Sequence, residues 1–325
     1  MSFDKPWIVC DNTAASPFYG HCYMQWTDFQ GGCSQHVELS TSTDGGRTWG
    51  QVQTPANTHS ATGGQPLVQP NGTVIVPITG GCNQNSLLAF RSVDGGDSWS
   101  ALARVTTIRR HVVAGGLRGG KYVLPSAEID ATGRVYVAWQ DCRFRHNCSS
   151  NDIVLTTSPD GLNWSPVSRV PIDDATSTAD HFIPGLAVHR STSGASTHLA
   201  LAYYFYPRAD CDVSTCQLDV GFISSTNAGT SWSEPTQLAG PMSLSWIANT
   251  SAGPFVGDYI STSFSAAGIA YPVIEVAHAP AGGRFNEATY TPTGGLAAVG
   301  GTAMASSGGV VFTDTTTQSP PPRRP

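Results

Sequence analysis

Segments of alternating apolar and polar residues recur along the whole chain and predict a protein built from β-strands. The strands come in groups of four, and in each group a Gly-rich turn follows the third strand. The first strands are predicted at Pro6–Asp11, Gln65–Gln69, Val123–Asp130 and Phe182–His189. The second strands are predicted at His21–Thr27, Thr73–Thr79, Arg134–Gln140 and His198–Tyr206. The third strands are predicted at Gln35–Thr41, Ser86–Arg91, Asp152–Thr157 and Gln217–Ser224, and a fourth strand follows each turn.

The turn after each third strand is a repeated motif. Its Asp-Gly and Gly-Gly steps supply the positive φ angles of a tight turn, and its Ser and Asp side chains can bond the turn's own backbone. The four copies are Ser42-Thr-Asp44-Gly-Gly46-Arg-Thr-Trp49, Ser92-Val-Asp94-Gly-Gly96-Asp-Ser-Trp99, Ser158-Pro-Asp160-Gly161-Leu-Asn-Trp164 and Ser225-Thr-Asn227-Ala-Gly229-Thr-Ser-Trp232. A motif that recurs with a period of four strands indicates the blades of a β-propeller.

The fold class predicted is therefore all-β, a β-propeller of four-stranded antiparallel blades. Four blades are complete in the sequence, and 255–264 with 269–277 begin a fifth. We expect six blades, of which five are recognisable. Residues 1–313 form one propeller domain, which is either closed by a strand within 296–313 or lacks an upstream blade. Residues 314–325 are Pro-rich and are predicted to be a tail or linker.

Charge and cysteine content limit the partners and the cellular location that we expect for the protein. The net charge is −6 with no long basic run, which argues against nucleic acid as a partner. No apolar run is long enough to predict a membrane span. The eight cysteines favour disulfides, and so a secreted or extracytoplasmic protein, which we expect to be a monomer. The predicted pairs are Cys10–Cys22, Cys33–Cys82, Cys142–Cys148 and Cys211–Cys216.

Propeller topology indicates which face carries function. First strands begin at the functional face and the loops between second and third strands return to it, whereas the repeated turns lie on the opposite face and are structural. Polar residues gather at the channel mouth, Asp4 and Lys5 among them. Carboxylates suit glycosidic acid–base chemistry, arginines bind anionic sugars, and aromatic rings stack on sugars. The predicted catalytic residues are Tyr259, Glu275, Asp258 and Asp141. The predicted substrate-binding residues are Arg143, Arg145, His181, Asp28, Tyr122, Tyr204 and Arg208.

The repeated turn resembles the Asp-box (BNR-repeat) motif of sialidases and related propellers. The segments Asp4-Lys5-Pro6-Trp7, Ser16-Pro17-Phe18-Tyr19-Gly20 and Gly257-Asp258-Tyr259 are similar to those of bacterial secreted, sialidase-like Asp-box proteins. This resemblance implies a glycoside hydrolase of the exo-α-sialidase type that acts on terminal or acidic sugars. Sialidases pair a tyrosine nucleophile with a glutamate, so the resemblance makes Tyr259 and Glu275 the pair to test.

A second function class stays open. The chain has no Phe/Tyr-Arg-Ile-Pro segment, where sialidases carry their first arginine. Its absence favours a non-catalytic propeller that binds a glycan, a glycoconjugate or a protein.

No cofactor is expected, and no metal ligands are assigned. Asp210-Cys-Asp212 and Asp173-Asp174 could offer oxygens to a structural calcium ion. Because no loop has EF-hand spacing, these acidic pairs are interpreted as solvated turns.

Overall fold

A computed structural model describes residues 2–57, 59–81, 83–300 and the backbone of 312–314. The described strands form antiparallel sheets that follow one another along the chain. The first sheet contains β1 (Ser2–Cys10), β2 (Cys22–Gly31) and β3 (Ser34–Ser42). The second contains β4 (Ala61–Thr62), β5 (Leu67–Val68), β6 (Val74–Gly80), β7 (Ser86–Ser92) and β8 (Ala103–Thr107). The third contains β9 (Ser126–Ile129), β10 (Val135–Asp141), β11 (Asp152–Ser158) and β12 (Ser168–Arg169).

The second half of the chain continues the pattern. The fourth sheet contains β13 (Asp180–Val188), β14 (Leu199–Tyr206), β15 (Gln217–Ser225) and β16 (Thr236–Ser243). A short hairpin, β17 (Asn249–Thr250) with β18 (Gly253–Pro254), precedes the fifth sheet. The fifth contains β19 (Ser261–Phe264), β20 (Ile269–Ala277), β21 (Glu287–Pro292), β22 (Leu296–Ala297) and β23 (Phe312–Asp314). The described helical segments are α1 (Arg118–Lys121) and 3₁₀ turns at Ala114–Gly116, His146–Cys148, Gly194–Ser196 and Leu244–Trp246.

The strands predicted for the first four blades are found at about the expected positions, whereas of the segment 255–264 only Ser261–Phe264 forms a strand. The sheets also depart from the expected blade plan. In the first sheet the fourth strand is reduced to a single bridge between Leu39 and Gln53. In the fifth sheet β22 pairs with β20 and β23 with β21, and the expected closure of the ring stays a prediction. Five such sheets occur in the described part of the chain, and the expected sixth is not among them.

The core lies between successive sheets. Along β10, Val135, Val137 and Trp139 point to one side and pack with the second sheet, whereas Tyr136 and Ala138 point to the other and pack with the fourth. Strand alternation therefore gives a central sheet two apolar faces, and each face is buried by a neighbour. The same packing joins the first sheet to the second and the fourth to the fifth.

The first and fifth sheets meet at the central axis. There the ring of Trp7 packs edge-on against that of Tyr259, with centroids 5.6 Å apart. Ile8 of β1 and Val273 of β20 are exposed.

The repeated turns have one hydrogen-bond pattern. In the second copy, the Ser92 hydroxyl accepts from the Gly96 N–H at 2.9 Å and donates to Asp94 at 2.7 Å, and Asp94 accepts from the Ser98 N–H at 3.0 Å. Comparable bonds close the turns that begin at Ser42, Ser158 and Ser225. Because strands alternate in direction, these turns lie at the opposite end of each sheet from the start of its first strand.

Three predicted disulfides are confirmed: Cys10–Cys22, Cys142–Cys148 and Cys211–Cys216. Cys33 is also disulfide-bonded, and its predicted partner, Cys82, lies outside the described residues. None of the described helical segments is long and apolar enough to cross a membrane.

Candidate functional site

Irregular first strands shape the channel mouth. The register of β1 shifts between Asp4 and Trp7, where Lys5 has a φ of 57°, and β13 shifts in the same way where Ile183 has a φ of 49°. Left-handed backbone at a lysine or a β-branched residue is costly, so it persists only where the surrounding structure holds it. A β-bulge redirects the side chains beside it, and here it turns Lys5 towards the axis.

Glycine at the same level in the second sheet allows close packing around the axis. Gly63 has a φ of 71° and separates β4 from β5. A Cβ at this position would clash with Leu124 and would lie 3.6 Å from the hydroxyl of Tyr259. The axis is therefore filled below the mouth, and the open space lies above it.

This open space is a cavity of about 450 Å³, which we call the channel-mouth cavity. Its lining comes from the first two sheets, from α1 and the segment between α1 and β9, from the β17–β18 hairpin and from the segment that leads into β19. The charged residues of this lining are Asp4, Lys5, Arg118 and Asp258, and its polar residues include Gln84 and Tyr122. A second cavity, of about 480 Å³ beside β7 and β8, has no carboxylate among its described lining residues, so it offers no acid–base pair.

A compact ion-pair network crosses the channel-mouth cavity. The ammonium of Lys5 donates to Asp258 Oδ2 and lies 3.4 Å from Asp4 Oδ2. The guanidinium of Arg118 lies 3.6 Å from the same Asp258 oxygen and stacks 4.2 Å above the ring of Phe255. The side chain of Asp258 is 11% exposed and that of Asp4 50%. One carboxylate is therefore held by two cations in a sheltered position, while the other faces solvent.

Tyr259 lies directly below this network. Burial raises the pKa of Tyr259 well above its ordinary value, and the carboxylates of Asp258 and Asp4 raise it further. The phenol is therefore protonated at neutral pH. Lys5 Nζ lies 5.6 Å from the centre of the ring.

The hydrogen bonds found for Glu275 go to residues other than Tyr259. The Glu275 carboxylate accepts a hydrogen bond from the hydroxyl of Thr289 on β21, and its backbone N–H and C=O bond the hydroxyl of Tyr204 at 2.9 and 2.8 Å. No hydrogen bond between Tyr259 and Glu275 is found in the described part of the chain. Tyr204 is itself buried, where it connects the fourth sheet to the fifth. The nucleophile pair stays a prediction.

The other predicted residues lie apart from the channel-mouth cavity, except Tyr122, whose ring is 40% exposed in its lining. Asp141 is fully buried and accepts from Arg143 at 2.7 and 2.9 Å. Asp28 is buried and accepts from the Gln30 amide. These carboxylates hold local structure in the loops of their sheets.

Arg208 is paired with Asp210 at 3.1 Å in the exposed loop that the Cys211–Cys216 disulfide closes. Arg145 and His181 belong to a separate buried cluster between the third and fourth sheets. Burial lowers the pKa of His181. Of the eleven predicted residues, the structure places Asp258, Tyr259 and Tyr122 together at the mouth.

Sequence patterns gave no role to Arg118, which lies in the connection between the second and third sheets. One signal was available for Lys5, because Lys5-Pro6 and Ile183-Pro184 occupy matching positions in two first strands. A residue before proline at a strand start is a candidate for irregular backbone.

No family model and no curated protein sequence matches the chain, but solved structures share its fold. An α-L-arabinofuranosidase of family GH93 from Fusarium graminearum, solved with arabinobiose, gives a TM-score of 0.55 at 14% identity over 91% of this chain and 82% of that one. A Dyadobacter fermentans protein of unknown function gives 0.52 at 12% identity, over 91% and 79%.

A third structure, a polysaccharide lyase of family PL25 (an ulvan lyase) bound to a GlcA–Rha3S unit, gives 0.51 at 13% identity over 89% of this chain and 70% of that one. At such identities the likeness shows the fold alone, the β-propeller.

Proposed function

We propose that the protein is a secreted glycoside hydrolase that acts on terminal or acidic sugars in the channel-mouth cavity. The observation that carries this proposal is the carboxylate pair Asp4 and Asp258, which shares the ammonium of Lys5 at the mouth. A cavity of about 450 Å³ is large enough for a sugar residue with part of its neighbour. The disulfides support a secreted protein.

The two carboxylates have environments that suit different roles. Asp258 is sheltered and paired with both Lys5 and Arg118, so it is the carboxylate that we place beside the anomeric carbon. Asp4 is half exposed and therefore open to water, so it is the carboxylate to which we assign the acid–base role, including the activation of water. Two carboxyls close enough to contact one ammonium favour the retaining mechanism, since inverting enzymes hold them further apart to admit a water.

Two groups support the sugar specificity. The exposed ring of Tyr122 offers a stacking surface, and Arg118 offers a guanidinium to an acidic sugar. Arg118 is the one arginine among the described lining residues, so the proposal covers acidic sugars in general. Two of the structures that share the fold carry names of sugar-cleaving enzymes, which supports the class.

The alternative is a propeller that binds glycans without cleaving them. It is favoured by the ion pairing itself, because Lys5 compensates both carboxylates in the ligand-free arrangement. Catalysis requires that a bound substrate displace this ammonium from Asp4.

The test is a screen with fluorogenic glycosides that includes an α-sialoside, an α-L-arabinofuranoside and a β-glucuronide. We expect turnover of at least one, and a loss of about 100-fold or more in kcat/KM for Asp258→Asn and for Asp4→Asn. Asp210→Asn is the matched control, because this carboxylate is exposed, is paired with an arginine and is not among the described lining residues of the channel-mouth cavity. Turnover that survives in Asp258→Asn would refute the assignment. Glycan binding by array without any turnover would establish the alternative.

A further inference from the structure

A buried cluster between the third and fourth sheets leaves some of its hydrogen-bond acceptors without a donor. Its carboxylates are Asp152, at the start of β11, and Asp173, after β12. Arg145 and Arg169 both bind these carboxylates, but only through Oδ1. Asp152 Oδ1 accepts from Arg145 at 2.7 and 2.9 Å and from Arg169 at 2.8 Å, and Asp173 Oδ1 accepts from Arg145 at 2.6 Å and from Arg169.

The second oxygen of each carboxylate has no partner. Oδ2 of Asp152 and Oδ2 of Asp173 are both shielded from solvent, and neither has a hydrogen-bond donor in the described part of the chain. The side chain of Asp152 is 1% exposed. Leaving a buried carboxylate oxygen without a partner costs more than an ordinary hydrogen bond is worth, so each such oxygen calls for an explanation.

His181, the second residue of β13, completes the cluster. Its ring is fully enclosed, stacked on Phe205 and edge-on to Tyr203. Nδ1 lies 3.3 Å from the carbonyl oxygen of Asn151, so Nδ1 carries the proton and donates to that oxygen. Nε2 then presents a lone pair towards Asp173 Oδ2, which is 4.0 Å away.

Three acceptors therefore converge, since one carboxylate oxygen of each aspartate and one ring nitrogen of His181 lie within 4.8 Å of one another. We propose that Asp152, Asp173 and His181 bind one divalent transition-metal ion, Zn²⁺ or Mn²⁺. One imidazole nitrogen with two carboxylate oxygens is a donor set that these ions accept, whereas Ca²⁺ prefers oxygens alone.

The surroundings have the form of an outer shell. A metal-bound histidine usually donates its other ring N–H to a carbonyl or carboxylate, as His181 does to the carbonyl of Asn151. Metal-bound carboxylates usually accept hydrogen bonds from further residues, as these two do from the arginines. Asp173 is 19% exposed and provides the route of entry.

A buried water is the competing occupant. A water has two protons, so it could satisfy both carboxylate oxygens but would leave the lone pair of His181 unpaired. A cation satisfies all three acceptors together.

The experiment measures metal binding by the intact protein. After dialysis against a chelator, ZnCl₂ is titrated by calorimetry, and CoCl₂ is added separately to record visible absorption, since Co²⁺ reports its ligands. We expect one Zn²⁺ per chain, bound more tightly than Ca²⁺, and a Co²⁺ absorption band. Asp173→Asn keeps an oxygen for the arginines but removes the ligand charge, and should weaken Zn²⁺ binding about ten-fold or more and diminish the band.

The matched control is Asp174→Asn, the neighbouring exposed carboxylate that bonds only Thr176 in its own turn. It should bind Zn²⁺ as the parent protein does. His181→Gln is a second variant that removes the nitrogen donor and should also abolish the Co²⁺ band. Absence of stoichiometric binding, or equal binding by the parent and by Asp173→Asn, overturns the proposal in favour of a buried water. The readout needs no substrate, so it is independent of the proposed glycosidase activity.

Discussion

Asp219 on β15 is a buried carboxylate whose charge should destabilise the folded protein. Its side chain accepts a hydrogen bond of 2.6 Å from the Gln237 amide, and the residue is 3% exposed. No cationic side chain pairs with it in the described part of the chain. Burial therefore raises the pKa of Asp219 from 3.8 to about 6.

The sign of the effect follows from proton binding. The unfolded chain releases the Asp219 proton near pH 3.8, whereas the folded protein holds it until about pH 6. Between these values the folded state binds more protons, so the free energy of unfolding falls as the pH rises through this window. Above pH 6 it stays lower by up to about 3 kcal/mol, at 1.36 kcal/mol per pH unit.

The perturbation is Asp219→Asn, which keeps the oxygen that accepts from Gln237 and removes the buried charge. We expect the variant to be more stable than the parent by about 1 to 3 kcal/mol at pH 7.5, and the gain to vanish near pH 4. Urea denaturation followed by tryptophan fluorescence, at five pH values between 4 and 8, measures the difference.

Asp160→Asn is the control of opposite sign. Partial burial of Asp160 is outweighed by hydrogen bonds from the backbone N–H groups of Asn163 and Leu162, which lower its pKa to about 2. The ionised Asp160 carboxylate stabilises the folded protein fully above pH 4, and this stabilisation is lost as the pH falls towards 2. The Asp160→Asn variant should therefore be less stable than the parent at pH 7.5. A difference between Asp219→Asn and the parent that is the same at pH 4 and pH 8 would refute the reasoning.

Three further predictions concern stability. Ser92→Ala leaves the buried Gly96 N–H without its acceptor, so the free energy of unfolding measured by thermal denaturation should fall by about 1 to 3 kcal/mol while turnover is unchanged. A loss of turnover at equal stability would contradict a structural role for the turn. Replacing Cys142 and Cys148 together by serine should cost about 2 kcal/mol, because the disulfide closes a short loop; calorimetry of the oxidised protein tests this, and equal melting points would count against it. Gln25→Met should raise the free energy of unfolding by about 1 kcal/mol, because neither polar atom of the fully buried Gln25 side chain has a partner in the described part of the chain. A lower free energy of unfolding in the variant would show instead that the amide binds an ordered water.

The strands and their grouping were predictable because their signal is local. A period of two along each strand and a Gly-rich turn after each third strand are written into short segments, and β3, β7, β11 and β15 match the predicted strands within a residue or two. The cysteine pairs Cys142–Cys148 and Cys211–Cys216 were predictable for the same reason, since each pair lies within one loop.

The channel-mouth cavity was predictable only in part. Topology alone placed Asp258, Tyr259 and Tyr122 near the start of first strands. Arg118 was missed because it enters the cavity from a connecting segment that has no periodicity.

The sequence by itself determined the strands, the repeated turns and the local disulfides, since each depends on residues a few positions apart. The tertiary structure alone decided which charges meet. Lys5 and Asp258 come together because the first and fifth sheets meet at one axis, and Asp152, Asp173 and His181 because two neighbouring sheets pack face to face. Such contacts depend on the twist and packing of whole sheets, which no short segment encodes.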